Sequence, residues 1–61
     1  MAQHREVNGE AWFGYATVRE AKEAAYRMYE QDLQVRYNQD DKGTWCAVVS
    51  ASDADAASRV S

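Results

Sequence analysis

Sixty-one residues with a formal charge of −3, 46% hydrophobic and 28% charged, fit one small globular domain and exclude a disordered or collagen-like chain. No apolar run approaches the roughly 18 residues a bilayer requires, so no membrane span is expected. Seven Lys/Arg against ten Asp/Glu, scattered without a basic stripe, argue against direct nucleic-acid binding, because phosphate neutralisation supplies most of that affinity.

Taken in chain order, the first signal is Asn8-Gly9, a hairpin turn. It would pair a strand over Gln3–Val7 with an aromatic-rich strand over Glu10–Ala16. Thr17-Val18-Arg19-Glu20 then has the form of a capping box. Thr17 accepts from the Glu20 N–H, and Glu20 reaches back to the N–H of Thr17. The spacing predicts a helix over 18–31, burying Val18, Ala21, Ala25, Met28 and Tyr29 with Ala24 at the margin. On its other side Glu23 and Arg27 stand four apart, in the order that favours an ion pair.

Past the helix the period changes to two. Leu33-Gln34-Val35-Arg36-Tyr37 alternates cleanly, and Thr44–Val49 reads as a further strand, apolar on both faces. Asn38–Gly43 between them is a polar hairpin loop closed by a glycine. The small, polar stretch 51–61 is expected to fray or to form a short helix from Ser52. The fold class is therefore α+β, a single small domain over 1–50 followed by this tail. One helix packs on one face of a three- to four-stranded antiparallel sheet, in the order β-β-α-β-β.

Leu33, Val35 and Tyr37, with Trp45, Ala47 and Val49, should face the helix, joined by Ala11, Phe13 and Tyr15. The opposite phase of that first long strand, with Trp12, Gly14 and Ala16 inward, is nearly as good, because Gly14 would admit a helix closely. The other sheet face would then carry Trp12, Gln34, Arg36, Asn38, Thr44, Cys46 and Val48. Tyr26 belongs at the rim of the helix's buried stripe.

Candidates for chemistry are few. His4 reads as a solvated end residue, and Cys46 reads as a small hydrophobe, far from any histidine. One cysteine cannot close an intrachain disulfide, and no signal-peptide pattern opens the sequence, so a reducing cytoplasm is the expectation. Asp40-Asp41 lacks the alternating acidic spacing of a calcium loop. No metal-ligand spacing and no phosphate-cradling glycines are present. No catalytic residue, cofactor or metal is expected, and the chain reads as a non-enzyme. Its candidate partner-binding residues are Trp12, Arg36, Asn38, Asp40 and Asp41, because tryptophan and arginine dominate protein interfaces and the two aspartates project from a hairpin tip.

Tyr15-Ala16-Thr17-Val18-Arg19-Glu20-Ala21-Lys22, followed by Asp41-Lys42-Gly43-Thr44-Trp45, is similar in layout to small phage-encoded inhibitor proteins of the anti-CRISPR type. The resemblance spans Glu10 to Val49 and is architectural. It implies a non-enzymatic inhibitor in the cytoplasm of a bacterial host, blocking a defence or nucleic-acid-processing complex by occupying a protein surface on it. Two alternatives stand beside it. One is a single-stranded nucleic-acid binder that stacks bases on Trp12, Arg36 and Tyr37. The other is a regulatory homodimer with the open sheet face as its seam.

Overall fold

The computed structural model describes residues 4–60. Strand β1 (His4–Val7) turns at Asn8-Gly9 into β2 (Glu10–Tyr15). Both turn residues take positive φ, 51° and 78°, which is the mirror-image turn whose twist matches a hairpin and which asparagine and glycine tolerate. The proposed start of the first strand at Gln3 lies outside the described residues.

Helix α1 (Val18–Glu30) opens with Thr17 in an extended conformation, its hydroxyl oxygen accepting from the Glu20 N–H at 3.2 Å. It closes at Gln31, whose N–H donates to Met28 O at 3.0 Å. β3 (Val35–Gln39) and β4 (Trp45–Ser50) follow, and all neighbouring strands run antiparallel in the spatial order β1-β2-β4-β3. The last strand thus inserts between the second and third.

α1 lies across β2, β4 and β3. It buries Ala21, Ala24, Ala25 and Met28 against Ala11 and Phe13 of β2 and Ala47 and Val49 of β4. Of the two phases weighed for β2, the one with Ala11, Phe13 and Tyr15 toward the helix is the one formed. Ala11 and Phe13 have no exposed surface, and Tyr15 packs on the core's margin. Gly14 accordingly sits on the opposite face, where an added Cβ would meet Thr44 Cγ2 at 3.4 Å. Tyr29 is not on the buried stripe: it is 69% exposed, because the helix turns its alanines to the sheet.

Of the two forms expected for the tail the short helix is the one present, so two helices and not one pack on the sheet. After Ser50 the chain makes a 3₁₀ turn (Ala51–Asp53) and enters α2 (Ala54–Val60). Ala54 and Ala57 join the core and Val60 packs on its edge, so the order is β-β-α-β-β-α. Two polar ties hold the segment. The Ala51 N–H donates to Gly9 O in the first hairpin at 2.9 Å, and Arg27 Nε donates to Val60 O at 3.1 Å. Arg27 is therefore spent on the C-terminal helix and not on Glu23, which instead stands 3.8 Å from Arg19.

β3 begins at Val35 and not at Leu33. Its ladder on β4 starts at the Val35–Val49 pair, and one residue beyond Ser50 the β4 chain has already turned into the 3₁₀ segment. Leu33 thus has no opposing strand, and Gln34 falls opposite Ser50, the last residue of β4.

Removing the Thr17 hydroxyl should expose how much the helix start matters. Thr17→Ala should lower stability by about 1 kcal/mol, read as a lower denaturant midpoint at unchanged slope, and an unchanged midpoint would exclude Thr17 as the cap.

Candidate partner-binding face

With both helices on one side, the other face of the sheet carries no covering layer among the described residues. Its composition follows from register. Arg5, Trp12, Val48 and Arg36 form one row across all four strands. Gly14, Cys46 and Asn38 form the row toward the β3–β4 loop, and Val7, Glu10 and Ser50 the row on the other side.

The centre of this face is organised by Arg36. Its Nη1 donates to Glu10 Oε2 at 2.7 Å and its Nη2 to Glu10 Oε1 at 3.1 Å, a two-pronged pair. The guanidinium carbon also lies 5.8 Å from the centroid of the Trp12 ring. To reach both from β3, the arginine stem must cross β4 above Val48. That crossing explains why Val48 is 1% exposed on a face with no second layer. An arginine stem covering an apolar residue while its head stays in water is ordinary amphipathic behaviour. Cys46 and Val48, expected on an open face, are therefore buried there, the face being roofed by side chains of its own sheet.

Electrostatics follow the geometry. Hydrogen bonding to Arg36 holds the Glu10 carboxyl below the usual carboxylate range, against an opposing desolvation and with lesser help from the arginine's charge. Arg36 is raised by the same bond. The Trp12 indole N–H is buried without a hydrogen bond of good geometry, but lies close enough to add to the lowering of Glu10.

The two loop aspartates separate. Asp40 Oδ1 accepts from the backbone N–H groups of Lys42 (2.8 Å) and Thr44 (2.9 Å), so its carboxylate folds the loop. The Thr44 bond is the main cause of its lowered pKa, with the Lys42 bond and the charges of Arg5 and Lys42 adding to it. Asp41 points outward, its side chain 81% exposed and 3.9 Å from Arg5. The loop thereby leans over the open face toward β1, and Arg5, Trp12, Asp40 and Asp41 line a shallow crevice.

Of the five residues singled out from sequence, Trp12 and Arg36 form one cluster and Asp40 and Asp41 its rim. Asn38 is exposed one row away, its side-chain oxygen accepting from the Gln39 N–H at 2.9 Å. Sequence reasoning missed Glu10 and Arg5. The Asn8-Gly9 turn fixes Glu10 beside Val7, but its approach to Arg36 depends on β4 inserting between their strands, which no local pattern announces.

Other chemistry is sparse. The His4 ring packs on Phe13, with centroids 4.8 Å apart, and so shields the core's edge. Among the described residues no group of three or more His, Cys, Asp or Glu could hold a metal ion, and no helix is long and apolar enough to cross a membrane. Burial, with the nearby Asp40 charge, pushes the Cys46 thiol up, away from nucleophilic character. No family model, curated protein or solved structure matches the chain.

Two outcomes check this geometry. Glu10 and Asp40 have lowered folded-state pKa values, so their contribution is complete at neutral pH and is lost as pH falls through the carboxylate range and below. The thermal midpoint should hold near neutrality and fall in acid. In a Glu10→Gln/Asp40→Asn variant the acid loss should be smaller, and a loss as steep as wild type would place the acid sensitivity elsewhere. Separately, Cys46 should react with a disulfide reagent at least about tenfold more slowly in the folded chain than in denaturant, and equal rates would contradict its burial.

Proposed function

We propose that this chain is a non-enzymatic protein-binding module that presents the uncovered sheet face, with its acidic hairpin rim, to a larger partner. The observation that supports this reading most directly is the Trp12–Arg36–Glu10 cluster. Tryptophan and arginine are the residues that most often carry interface energy. Here they stand at the centre of a sheet face, and the arginine is already fixed by two hydrogen bonds. A side chain held in place before association loses less freedom on binding. The surrounding row supplies the mixed lining of ordinary interfaces: Val7 at 37% exposure, Arg5, Asn38 and outward-pointing Asp41.

The partner class comes from the architectural resemblance to phage-encoded inhibitors: a bacterial defence or nucleic-acid-processing complex, occupied by a small protein in the host cytoplasm. The loop geometry narrows the part charge plays. Asp40 is committed to the loop's own N–H groups, so steering toward a basic partner surface falls to Asp41. Arg36 acts as an anchor and not as a phosphate ligand, since Glu10 neutralises it.

The test is capture of the partner on immobilised chain from a bacterial lysate, identification by mass spectrometry, then kinetics with two variants. Arg36→Ala should raise the dissociation rate by tenfold or more, on the order of 1.4 kcal/mol. Asp41→Asn should slow association at low salt and leave dissociation nearly unchanged. Wild-type kinetics for Arg36→Ala in a folded variant would remove the sheet face from the proposal. Salt-sensitive binding to a labelled single strand would move the assignment to nucleic acid.

A further inference from the structure

One surface lies outside this reading. Tyr26 and Tyr29 on α1 are 62% and 69% exposed, and Tyr37 on β3 is 46% exposed. All three line the groove between α1 and β3, together with Leu33 and Val35. β3 is also an edge of the sheet, so one side of its backbone has no ladder partner. Natural edges are usually guarded by outward charges, and the opposite edge, β1, carries Arg5 and Glu6. β3 has a single charged residue, Arg36, and that guanidinium is turned inward across the sheet to Glu10.

We propose that the β3 edge and the tyrosine groove beside it bind a second copy of this chain, in antiparallel register about Val35. Three observations choose this occupant and this register. The first is the ladder. The apolar–polar alternation runs from Leu33 to Tyr37, but pairing with β4 starts only at Val35. Centred on Val35, a second copy sets Leu33 opposite the other copy's Tyr37 and Gln34 opposite its Arg36, so Leu33 gains the partner β4 does not supply. Centring on Arg36 would oppose two arginines, and centring on Tyr37 would leave Leu33 unpaired. Like charges directly across a ladder destabilise it.

The second observation is spacing. α1 is centred over β4, one and a half strand spacings from the dimer axis. The two helices would then lie about 14 Å apart at about 4.8 Å per strand. Helices in direct contact pack at roughly 8–10 Å. The gap has the width that large side chains fill, and Tyr26 and Tyr29 project into it from each side.

The third is charge. Lys22 stands at the Tyr37 end of the groove, its Nζ 5.4 Å from that ring, whereas Glu30 and Asp32 line the Val35 end. Antiparallel association carries the lysine of each copy toward the carboxylates of the other. The area asked of each copy is that of a standard interface, about 800 Å² per partner, near a fifth of this chain's 4191 Å². The dimer leaves the open sheet face of each copy free, so this inference stands or falls apart from the proposed function.

Sedimentation equilibrium of the full chain across micromolar to submillimolar concentration tests it, with circular dichroism to confirm folding. Wild type should approach twice its 6.9 kDa as concentration rises. Lys22→Glu should weaken association at least about tenfold, because each copy then meets like charge twice. The double variant Lys22→Glu/Glu30→Lys should restore it. Residues 22 and 30 are too far apart on one helix to pair within a copy, so rescue reports contact between copies. A wild-type chain monomeric throughout, or a folded Lys22→Glu variant that associates like wild type, overturns the proposal. Association weakened by Lys22→Glu and not rescued by the double variant overturns the Val35 register.

Discussion

An alanine-lined helix can settle closer to a sheet than a leucine-lined one, and this domain is arranged around that closeness. Ala21, Ala24 and Ala25 of α1 lie over a sheet whose facing residues include Ala11 and Ala47, and α2 adds Ala54 and Ala57. Small side chains bury little apolar area each, so the burden falls on a few large ones. Among the described residues the sizeable fully buried side chains are Phe13, Met28, Val48 and Val49, and a fully buried side chain of this kind contributes about 1.5–3 kcal/mol. A core so thin cannot spare the C-terminal segment. Ala54, Ala57 and Val60 complete its wall, and the Arg27–Val60 and Ala51–Gly9 hydrogen bonds keep that wall in place.

The same economy shapes the other face. Having spent its helices on one side, the chain covers Val48 with the stem of Arg36, while Cys46 is buried one row away beside Gly14. Val48 thus belongs to the buried set without belonging to the core. The Glu10–Arg36 pair holds the roof, and its value lies in position more than in Coulomb energy, which is small between exposed charges.

Local chemistry was legible in the sequence wherever a short segment decides its own conformation. Thr17 with Glu20 marked the helix start and Asn8-Gly9 the hairpin, whereas β2, whose two phases were nearly equal, took its inward face from the packing of α1. Segments decided by distant neighbours were not. α2 was legible only as one of two forms of a short polar tail, and it exists because Ala54 and Ala57 meet a wall prepared by α1 and β4. The same limit applies to β3, whose alternation reaches Leu33 while its ladder stops where β4 turns away. Arg27 offered a local partner in Glu23 and took a remote one in Val60 O. Asp40 read as a projecting charge because its backbone acceptor role depends on the turn it helps to form. For the candidate site, residue types pointed to Trp12 and Arg36, but Glu10, which fixes the arginine, became visible only with the strand order.

The internal pairing of Arg36 determines what kind of recognition the open face can perform. Taking a lone guanidinium out of water is costly, and leaving it unpaired in an interface costs more. Arg36 avoids both, because Glu10 travels with it and neutralises it in place. Of the guanidinium's five N–H donors, the Glu10 pair uses one on Nη1 and one on Nη2, and those left can serve a partner's carbonyls without breaking the pair. A phosphate or free carboxylate approaching the remaining Nε and Nη2 donors would do so against the charge of the Glu10 carboxylate already on the guanidinium. In the proposed function, a pre-paired anchor of this kind would suit polar protein surface better than a polyanion. Asp41, outside the pair and 81% exposed, is the element of the face that salt screens. Anchoring in that function would therefore fall to Arg36, placed by the strand order, and steering to Asp41, left outward by the loop bonds of Asp40.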